Sequence, residues 1–246
     1  GIGLASPFNI DRHLQRLGAS ADQAAAWRGA DLAAELGRVL GEKVEWFNNG
    51  NAACWAEFIA RAAPRPKGLA YFQVGTMVGA GIAIDGQLWG GSAGNAANLG
   101  AILVTDGQGQ PRYLHTMASI MALQQRIEAA GGRLPAGEPM DWDWAALEPV
   151  AGAWLDDAGR ALANAVVSTA AVMDLDLAVI DGIMPRTAVE RLLDRVEYHL
   201  GALPPSGAGR PEIAIGHMGG TAAATGAAQL VLFHRFFARG WDIFVT

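Results

Sequence analysis

The chain of 246 residues has a single cysteine, Cys54, and no excess of positive charge. One cysteine excludes an internal disulfide framework and any zinc site built from several cysteines. With 18 basic and 24 acidic residues the formal net charge is −6, so the segment lacks the basic face that binds a phosphate backbone. Its five histidines are scattered and form no metal-ligating pair.

The sequence also lacks a hydrophobic run suited to a signal peptide or a membrane span. Charges appear at Asp11 and Arg12, before any long apolar stretch. Residues 213–234 carry no Asp, Glu, Lys or Arg, but His217 and several glycines interrupt them. A strand, a glycine turn and a buried helix are therefore expected there. We expect a soluble, cytoplasmic protein, and the single cysteine fits a reducing compartment.

What the sequence does contain is an alternation of strand and helix patterns. Strands are predicted at 1–5, 43–47, 69–74, 81–84, 101–104, 175–180, 211–215 and 241–245. Helices are predicted at 30–40, 51–63, 116–130, 142–173, 186–200 and 221–237. Such alternation predicts an α/β fold. Asp85-Gly86 predicts a tight hairpin turn, which makes the sheet a mixed one.

A glycine turn, residues 75–81, lies between two of these predicted strands. A turn of this kind can present backbone N–H groups to a phosphate. No lysine follows it and no helix begins there, so it is neither a P-loop nor a dinucleotide fingerprint. A purely structural hairpin bend is the alternative interpretation.

Two asparagine-containing segments are the other candidate binding features. The run Asn48-Asn49-Gly50-Asn51 falls where a strand ends and a helix begins, which is where α/β proteins bind ligands. An amide both donates and accepts, which suits a polyol. A helix cap at Asn49 or Asn51 is the alternative. Asn98 is the only polar side chain in the apolar run 96–100, where a simple turn is the alternative.

Taken in order, these motifs resemble those of the ROK family (repressors, open reading frames, sugar kinases) of the actin and hexokinase fold group. Residues 48–53 resemble its N-D-x-N-A-A segment, and residues 75–81 resemble its G-T-G-x-G-A-G turn. Further similar segments are residues 1–7, 85–92, 96–101, 179–182 and 226–228. The resemblance covers nearly the whole chain. It implies an α/β, actin/hexokinase-like (ribonuclease H-like) architecture of two lobes, with mixed sheets flanked by helices.

The resemblance also implies a division of the chain. It assigns residues 1–66 to part of an N-terminal α/β lobe and residues 67–246 to a C-terminal α/β lobe, with the last helix returning to the N-terminal lobe. The family's first phosphate motif, D-x-G-G-T, would precede Gly1. We therefore expect the N-terminal lobe to be incomplete and the segment to belong to a longer chain.

Site residues follow from the same resemblance. The positions that would bind a small sugar or polyol are Asn48, Asn49 and Asn98. The positions of a vestigial turn for the nucleotide phosphates are Gly75, Thr76, Gly79 and Gly182.

Several departures from the family pattern affect the sugar side of the site. Asn49 stands where the family kinases have the aspartate that takes the proton from the sugar hydroxyl, and an amide cannot accept that proton at neutral pH. Asn98 and Ala101 replace a glutamate and a histidine that bind the sugar.

Further departures affect the zinc and nucleotide sites. Residues 106–115 contain no cysteine where the family has a zinc motif.

On the nucleotide side, Met77 replaces a glycine of the phosphate turn, which would crowd the phosphate, and Asp181 brings a negative charge to the family's late glycine turn. Other conspicuous side chains do not compensate. The histidines expected at the surface or at helix caps are His115, His199, His217 and His234. Trp142 and Trp144 are expected in the core or an interface rather than stacked on a sugar.

These departures favour a catalytically inactive effector domain of a ROK-type transcriptional regulator that senses a sugar or polyol. It would have no catalytic residue, metal or cofactor, would form a homodimer, and would reach DNA only through a segment outside this chain. One alternative is a divergent ROK sugar kinase that transfers phosphate from Mg-ATP to a sugar hydroxyl. A second alternative is a scaffold or dimerisation domain that binds no small molecule.

Overall fold

The computed structural model describes residues 1–92, 94–204 and 209–237. The strands are β1 (Ile2–Ser6), β2 (Val44–Asn48), β3 (Gly68–Val74), β4 (Val78–Ile84), β5 (Gln87–Leu88), β6 (Leu103–Thr105), β7 (Pro111–Tyr113), β8 (Leu177–Gly182) and β9 (Glu212–Ile215). The helices are α1 (Ile10–Arg16), α2 (Ala21–Ala26), α3 (Leu32–Leu40), α4 (Asn49–Ala60), α5 (His115–Ala118), α6 (Ile120–Ala129), α7 (Val150–Met173), α8 (Arg186–Ala202) and α9 (Ala222–Phe236). The strand predicted at 241–245 lies outside the described residues.

A small parallel sheet begins the fold. β1 pairs with β2 in register from Ile2 opposite Val44 to Ser6 opposite Asn48. The three helices α1, α2 and α3 form the crossover that a parallel pair requires. Because both strands run the same way, Ser6 and Asn48 end at one edge of the sheet, and the chain leaves that edge towards α1 and α4.

The larger sheet has the strand order β5-β4-β3-β8-β9. β3 pairs antiparallel with β4 and parallel with β8, so the sheet is mixed as the sequence predicts. The turn between β4 and β5 has positive φ at both Asp85 and Gly86, which confirms the predicted tight hairpin. All seven residues of β3 are buried, as expected for a central strand covered on both faces.

Each face of this sheet has its own hydrophobic core. Successive residues of a strand point to opposite faces, so Phe72 and Tyr71 belong to different cores. Phe72 packs in the core that contains Trp154 of α7, and Tyr71 packs in the core that contains Trp55 of α4 and Leu230 of α9.

Helix α4 lies between α9 on one side and β4 on the other, at very close range. A Cβ atom at Gly50 would overlap the backbone of Ala80, and one at Gly226 would overlap the carbonyl group of Ala52. These two glycines therefore set how closely α4 approaches its neighbours. α9 also packs against β1. The division of the chain after residue 66 stays a prediction.

The predicted helices differ from those of the structure in three ways. The long helix α7 begins at Val150 and not near Trp142, because Pro149 stands at its N-cap and the residues before it form turns. The helix predicted at 116–130 is broken at Ser119, whose hydroxyl caps α6 through the N–H of Ala122 (3.1 Å). The short helices α1 and α2 were not predicted.

Among the described residues, no helix is both long and apolar enough to cross a membrane.

Candidate functional site

A cavity of about 440 Å³ lies where strands of both sheets end. Its walls come from the loop after β1, helix α1, the first turn of α4, the glycine turn between β3 and β4, and residues 95–98. Both strands of the small sheet end here, as does β3 of the larger sheet. Ligands of α/β proteins typically bind at such carboxyl ends of strands.

Asn48 and Asn49 both line this cavity, and they have different structural roles. Asn48 caps α4, because its Oδ1 accepts from the N–H groups of Gly50 (3.0 Å) and Asn51 (3.2 Å). Its Nδ2 lies 3.5 Å from Oδ1 of Asn95. The interpretation of Asn49 or Asn51 as the cap is therefore wrong, since Asn49 is the first residue inside the helix.

Asn98 also lines the cavity, just before a turn of 3-10 helix at Leu99–Ala101. His115 contacts the backbone of that turn, with its Nδ1 2.6 Å from the carbonyl oxygen of Gly100. His115 is buried, so the expectation of a surface or capping histidine is wrong for this residue. The histidine instead fixes the backbone that follows Asn98.

Three of the four predicted phosphate-turn residues, Gly75, Thr76 and Gly79, line the cavity. The turn is closed by a hydrogen bond from the N–H of Gly75 to the carbonyl oxygen of Met77 (3.2 Å). The side chain of Met77 is packed against His13, with Sδ 3.2 Å from Nδ1. The thioether therefore occupies the space beside the turn, as the sequence predicts.

The fourth residue, Gly182, lies at the end of β8 and is not among the lining residues. Its N–H donates to Oδ1 of Asp181 (2.8 Å). Oδ2 of Asp181 accepts from the N–H of Gly219 (2.8 Å) and the hydroxyl group of Tyr71 (3.0 Å). Burial and the neighbouring Asp181 raise the pKa of Tyr71, so the phenol stays protonated and donates. The Asp181 carboxylate thus holds two glycine turns and does not line the cavity.

A second buried carboxylate, Glu57, holds the same region. Its Oε2 accepts from the N–H of His217 (2.9 Å), and its Oε1 lies 2.8 Å from Nδ1 of that histidine. The guanidinium group of Arg61 lies 2.6 Å from Oε1. Glu57 is fully buried, so helix α4, which begins at the cavity, is tied to the turn that follows β9.

Helix α1 contributes to the cavity in a way that was not predicted from the sequence. Arg12 and His13 on this helix line the cavity, and they are the only ionisable side chains among its described lining residues. The apolar spacing of Ile10, Leu14 and Leu17 is that of an amphipathic helix, a signal that could have revealed α1. Its position over the cavity depends on tertiary packing.

The region of the family's zinc motif has a different structure here. β6 and β7 form a small hairpin, and Oδ1 of Asp106 accepts from the N–H groups of Gln108 and Gln110 (both 2.9 Å) to close its loop. Within the described part of the chain, no group of three or more His, Cys, Asp or Glu side chains could hold a metal ion.

The sequence model of the ROK family matches residues 1–233 of the chain. The bifunctional enzyme NanE/NanK of Brucella melitensis is 32% identical over 201 residues, which are 81% of this chain and 37% of that protein. An N-acetylmannosamine kinase of Vibrio cholerae is 32% identical over 156 residues, which are 61% of this chain and 54% of that kinase. The chain therefore spans only about a third to a half of the length of these curated relatives.

Solved structures show the same fold. A ROK hexokinase from Thermus thermophilus has a TM-score of 0.66 and 24% identity, covering 93% of this chain and 77% of that one. A ROK family transcriptional regulator, a homologue of the E. coli MLC protein, has a TM-score of 0.61 and 20% identity, covering 80% of this chain and 54% of that one. The actin/hexokinase-like α/β architecture expected from the sequence is confirmed.

The expectation of a catalytically inactive regulator domain is wrong. One curated relative at 32% identity is named an N-acetylmannosamine kinase and another a bifunctional enzyme, NanE/NanK, whereas the transcriptional regulator is similar in fold alone. The leaning against an enzyme, and the scaffold alternative, likewise find no support in these relatives. That expectation gave too much weight to the base, because phosphoryl transfer in general depends mainly on positioning and electrostatic stabilisation.

Proposed function

The chain belongs to the ROK family, and on that premise we propose that it transfers the γ-phosphoryl group of MgATP to a sugar. The observation that carries the proposal is that Asn48 and Asn49 share one cavity with the glycine turn at Gly75, Thr76 and Gly79. An acceptor held by the amides and a phosphate at the turn would meet within that cavity. Curated relatives named as N-acetylmannosamine kinases support the same class of reaction.

The chemistry that this site supplies is mainly positioning. Amide side chains donate and accept, so Asn48, Asn49 and Asn98 suit the hydroxyl groups of a sugar. Helix α4 begins at the cavity, where Asn48 caps the N–H groups of Gly50 and Asn51, and the positive end of the helix dipole favours the negative charge of a phosphoryl group. In a loose phosphoryl-transfer transition state these contributions account for most of the rate.

The residues present fit a nucleotide in part. Gly79 lines the cavity, and a Cβ built there would lie in ordinary contact with Cα of Gly50 (3.8 Å) and Oε1 of Gln73 (3.9 Å), so this position of the turn accepts a methyl group without a clash. On the other side Met77 narrows the approach. Magnesium would be held by the phosphate oxygens and water, because none of the described residues that line the cavity is a carboxylate. A homodimer and a cytoplasmic location remain predictions that belong to this proposal.

Direct product analysis tests the proposed reaction. The full chain is incubated with MgATP and a panel of sugars that includes N-acetylmannosamine and glucose, and ADP and phosphorylated sugar are both measured. We expect ADP formation that depends on a sugar, with one phosphorylated sugar per ADP. The absence of a phosphorylated product with every acceptor, at saturating MgATP, would refute the proposal.

A matched pair of variants then tests the phosphate turn. Gly79→Ala adds a methyl group that the fold tolerates but that narrows the nucleotide side of the cavity. Gly201→Ala adds the same group on α8, where nothing lies within 4 Å. We expect Gly79→Ala to raise the KM for ATP about tenfold, the typical effect of one methylene in a binding pocket, and Gly201→Ala to leave it unchanged. Equal KM values would remove the turn from the nucleotide site.

A further inference from the structure

We infer that the acceptor of this site is a sugar bearing an anionic group, and that its anionic oxygen, a carboxylate or phosphate oxygen, takes the phosphoryl group. The inference rests on the proposed function and adds the class of acceptor. Two observations carry it: the distribution of charge around the cavity, and the absence of a base among the described residues that line it.

The cavity carries the positive charge of Arg12. No Asp or Glu occurs among its described lining residues, whereas Arg12 and His13 both line it. Arg12 is exposed, and no described carboxylate lies within ion-pair distance of its guanidinium group, since the neighbouring Asp11 pairs with Arg28 (4.0 Å). Arginine is the side chain best suited to bind carboxylate and phosphate oxygens, which it contacts through two parallel N–H groups.

The opposite wall adds to this charge. Helix α4 is twelve residues long and begins at the cavity with Asn49 and Gly50, so the positive end of its dipole faces the ligand. Apart from Arg12 and His13, every polar side chain among the described residues that line the cavity is an amide or a hydroxyl group. A neutral sugar would leave Arg12 without a partner, whereas an anionic sugar would pair with it.

The reaction balances without a base when the acceptor oxygen is already an anion. A lone pair of the acceptor oxygen attacks the γ-phosphorus, and the bond from that phosphorus to the β–γ bridging oxygen breaks. The electron pair leaves with ADP, and no proton is released. A carboxylate acceptor gives an acyl phosphate, and a phosphate acceptor gives a diphosphate. MgATP supplies the phosphoryl group, as in the proposed function.

A hydroxyl acceptor has the opposite requirement. Its proton must leave in the course of the reaction, and a positioned base that takes it accelerates the transfer. The amide of Asn49 cannot do so. The buried carboxylates nearest in the fold, Glu57 and Asp181, are already bound to backbone N–H groups and do not line the cavity. An acceptor that needs no deprotonation is therefore consistent with every lining residue.

The experiment compares matched acceptors with the full chain and MgATP: glucuronate, glucose 6-phosphate, glucose and N-acetylmannosamine. Hydroxylamine traps an acyl phosphate as a hydroxamate, and phosphorus NMR identifies a diphosphate. These readouts distinguish the two sources of the anionic oxygen. We expect turnover with at least one anionic acceptor, at a kcat/KM about tenfold or more above that of glucose.

Each other outcome has a definite meaning. Turnover of glucose or N-acetylmannosamine alone, or transfer to a hydroxyl group of an anionic sugar, overturns the inference and leaves the proposed function intact. No product with any acceptor overturns both.

A pair of arginine variants checks the assigned cation. Arg12→Gln should raise the KM for the anionic acceptor about tenfold while the KM for ATP stays within about twofold, because one charge-assisted hydrogen bond to the acceptor is lost. Arg28→Gln removes the same charge from the same lobe outside the cavity and should change neither. Equal effects of the two variants would show that Arg12 does not bind the acceptor.

Discussion

Two buried carboxylates, Glu57 and Asp181, hold the turn at residues 216–219, whereas the cavity beside it has no carboxylate among its described lining residues. Each of these two carboxylates accepts hydrogen bonds from backbone N–H groups and so fixes where a helix or strand ends. In the cavity, amides occupy the positions at which the family resemblance places acids. Among the described residues, acids therefore hold the fold together, and none lines the cavity in which we propose that the acceptor binds.

The largest expected effect is a loss of stability when one of the two buried carboxylates is replaced. Glu57→Gln leaves the guanidinium group of Arg61 without its carboxylate partner in the interior, and breaking a buried pair in this way costs about 3–5 kcal/mol. Glu45→Gln is the matched control, because Glu45 also contacts a histidine, His234 (3.2 Å), but at the surface. Its cost should be about 0–1 kcal/mol. Urea unfolding of both variants measures the difference, and equal losses would contradict the assigned role of Glu57.

The next largest effect is expected on the reaction rate, because Asn49→Asp places a carboxylate in the cavity. With neutral sugars the rate should rise about a hundredfold, because a general base contributes roughly that much or more. With anionic acceptors the KM should rise, because the new charge repels them. The fold should be unaffected, since an acid in the first turn of a helix is favourable.

Asn95→Asp is the control for Asn49→Asp. Asn95 lines the same cavity but comes from a different segment, so its carboxylate should weaken anionic acceptors without accelerating neutral ones. An equal rate increase in both variants would show that the charge, and not a base at position 49, changes the reaction. Steady-state kinetics with both acceptor classes gives the answer.

A smaller effect is expected at the phosphate turn. Met77→Ala and Met77→Gly both remove the thioether that packs against His13. We expect the KM for ATP to fall about tenfold in each, because the space beside the turn opens to the nucleotide. If only Met77→Gly lowers the KM, backbone freedom rather than side-chain volume limits nucleotide binding.

The smallest effect is expected for a carboxylate at the surface, Asp156. Burial alone would raise the pKa of Asp156, but hydrogen bonds from Arg195 (2.6 Å) and His199 (3.1 Å), together with their charge, lower it. A lowered pKa stabilises the folded state above the ordinary aspartate value of about 3.9, and this contribution is lost as the pH falls through the lowered pKa. Because the side chain is 38% exposed, Asp156→Asn should cost only about 0–1 kcal/mol at neutral pH.

The difference in stability between wild type and Asp156→Asn should disappear in acid, where Asp156 of the wild type is protonated and therefore uncharged. Urea unfolding of wild type and Asp156→Asn at a series of pH values follows it. A cost that persists below the lowered pKa would show that packing, and not the charge of Asp156, is responsible.

The elements with strong local signals could be predicted from the sequence. The hairpin turn at Asp85-Gly86 is fixed by two positive φ values, and α3 ends at Gly41 in the left-handed conformation. The start of α7 was misplaced at Trp142, although Pro149 marks a helix boundary and Trp142 and Trp144, two residues apart, do not share a helix face. In the structure their indole N–H groups donate instead to the carbonyl oxygens of Gly137 (3.1 Å) and Pro139 (3.0 Å) in an irregular segment.

The candidate site was predictable only where the chain carries a motif. Asn48, Asn49, Asn98 and the glycine turn were assigned from the family resemblance, and the structure places them around one cavity. The contribution of α1 was not predictable, because no local pattern shows that Arg12 lies across the cavity from α4. The burial of Asp181 was also missed, since its three donors come from β3, the end of β8 and the turn after β9.

The measurement that tests the central claim most directly is the number of protons released per ADP formed. It is made in weakly buffered solution, at a pH above the last pKa of ADP, with the full chain, MgATP and the best acceptor of the panel. Transfer to an anionic oxygen releases no proton, and this is the predicted result. Release of one proton for each ADP, with one phosphorylated sugar formed, would show that a hydroxyl group is the acceptor and would contradict the account.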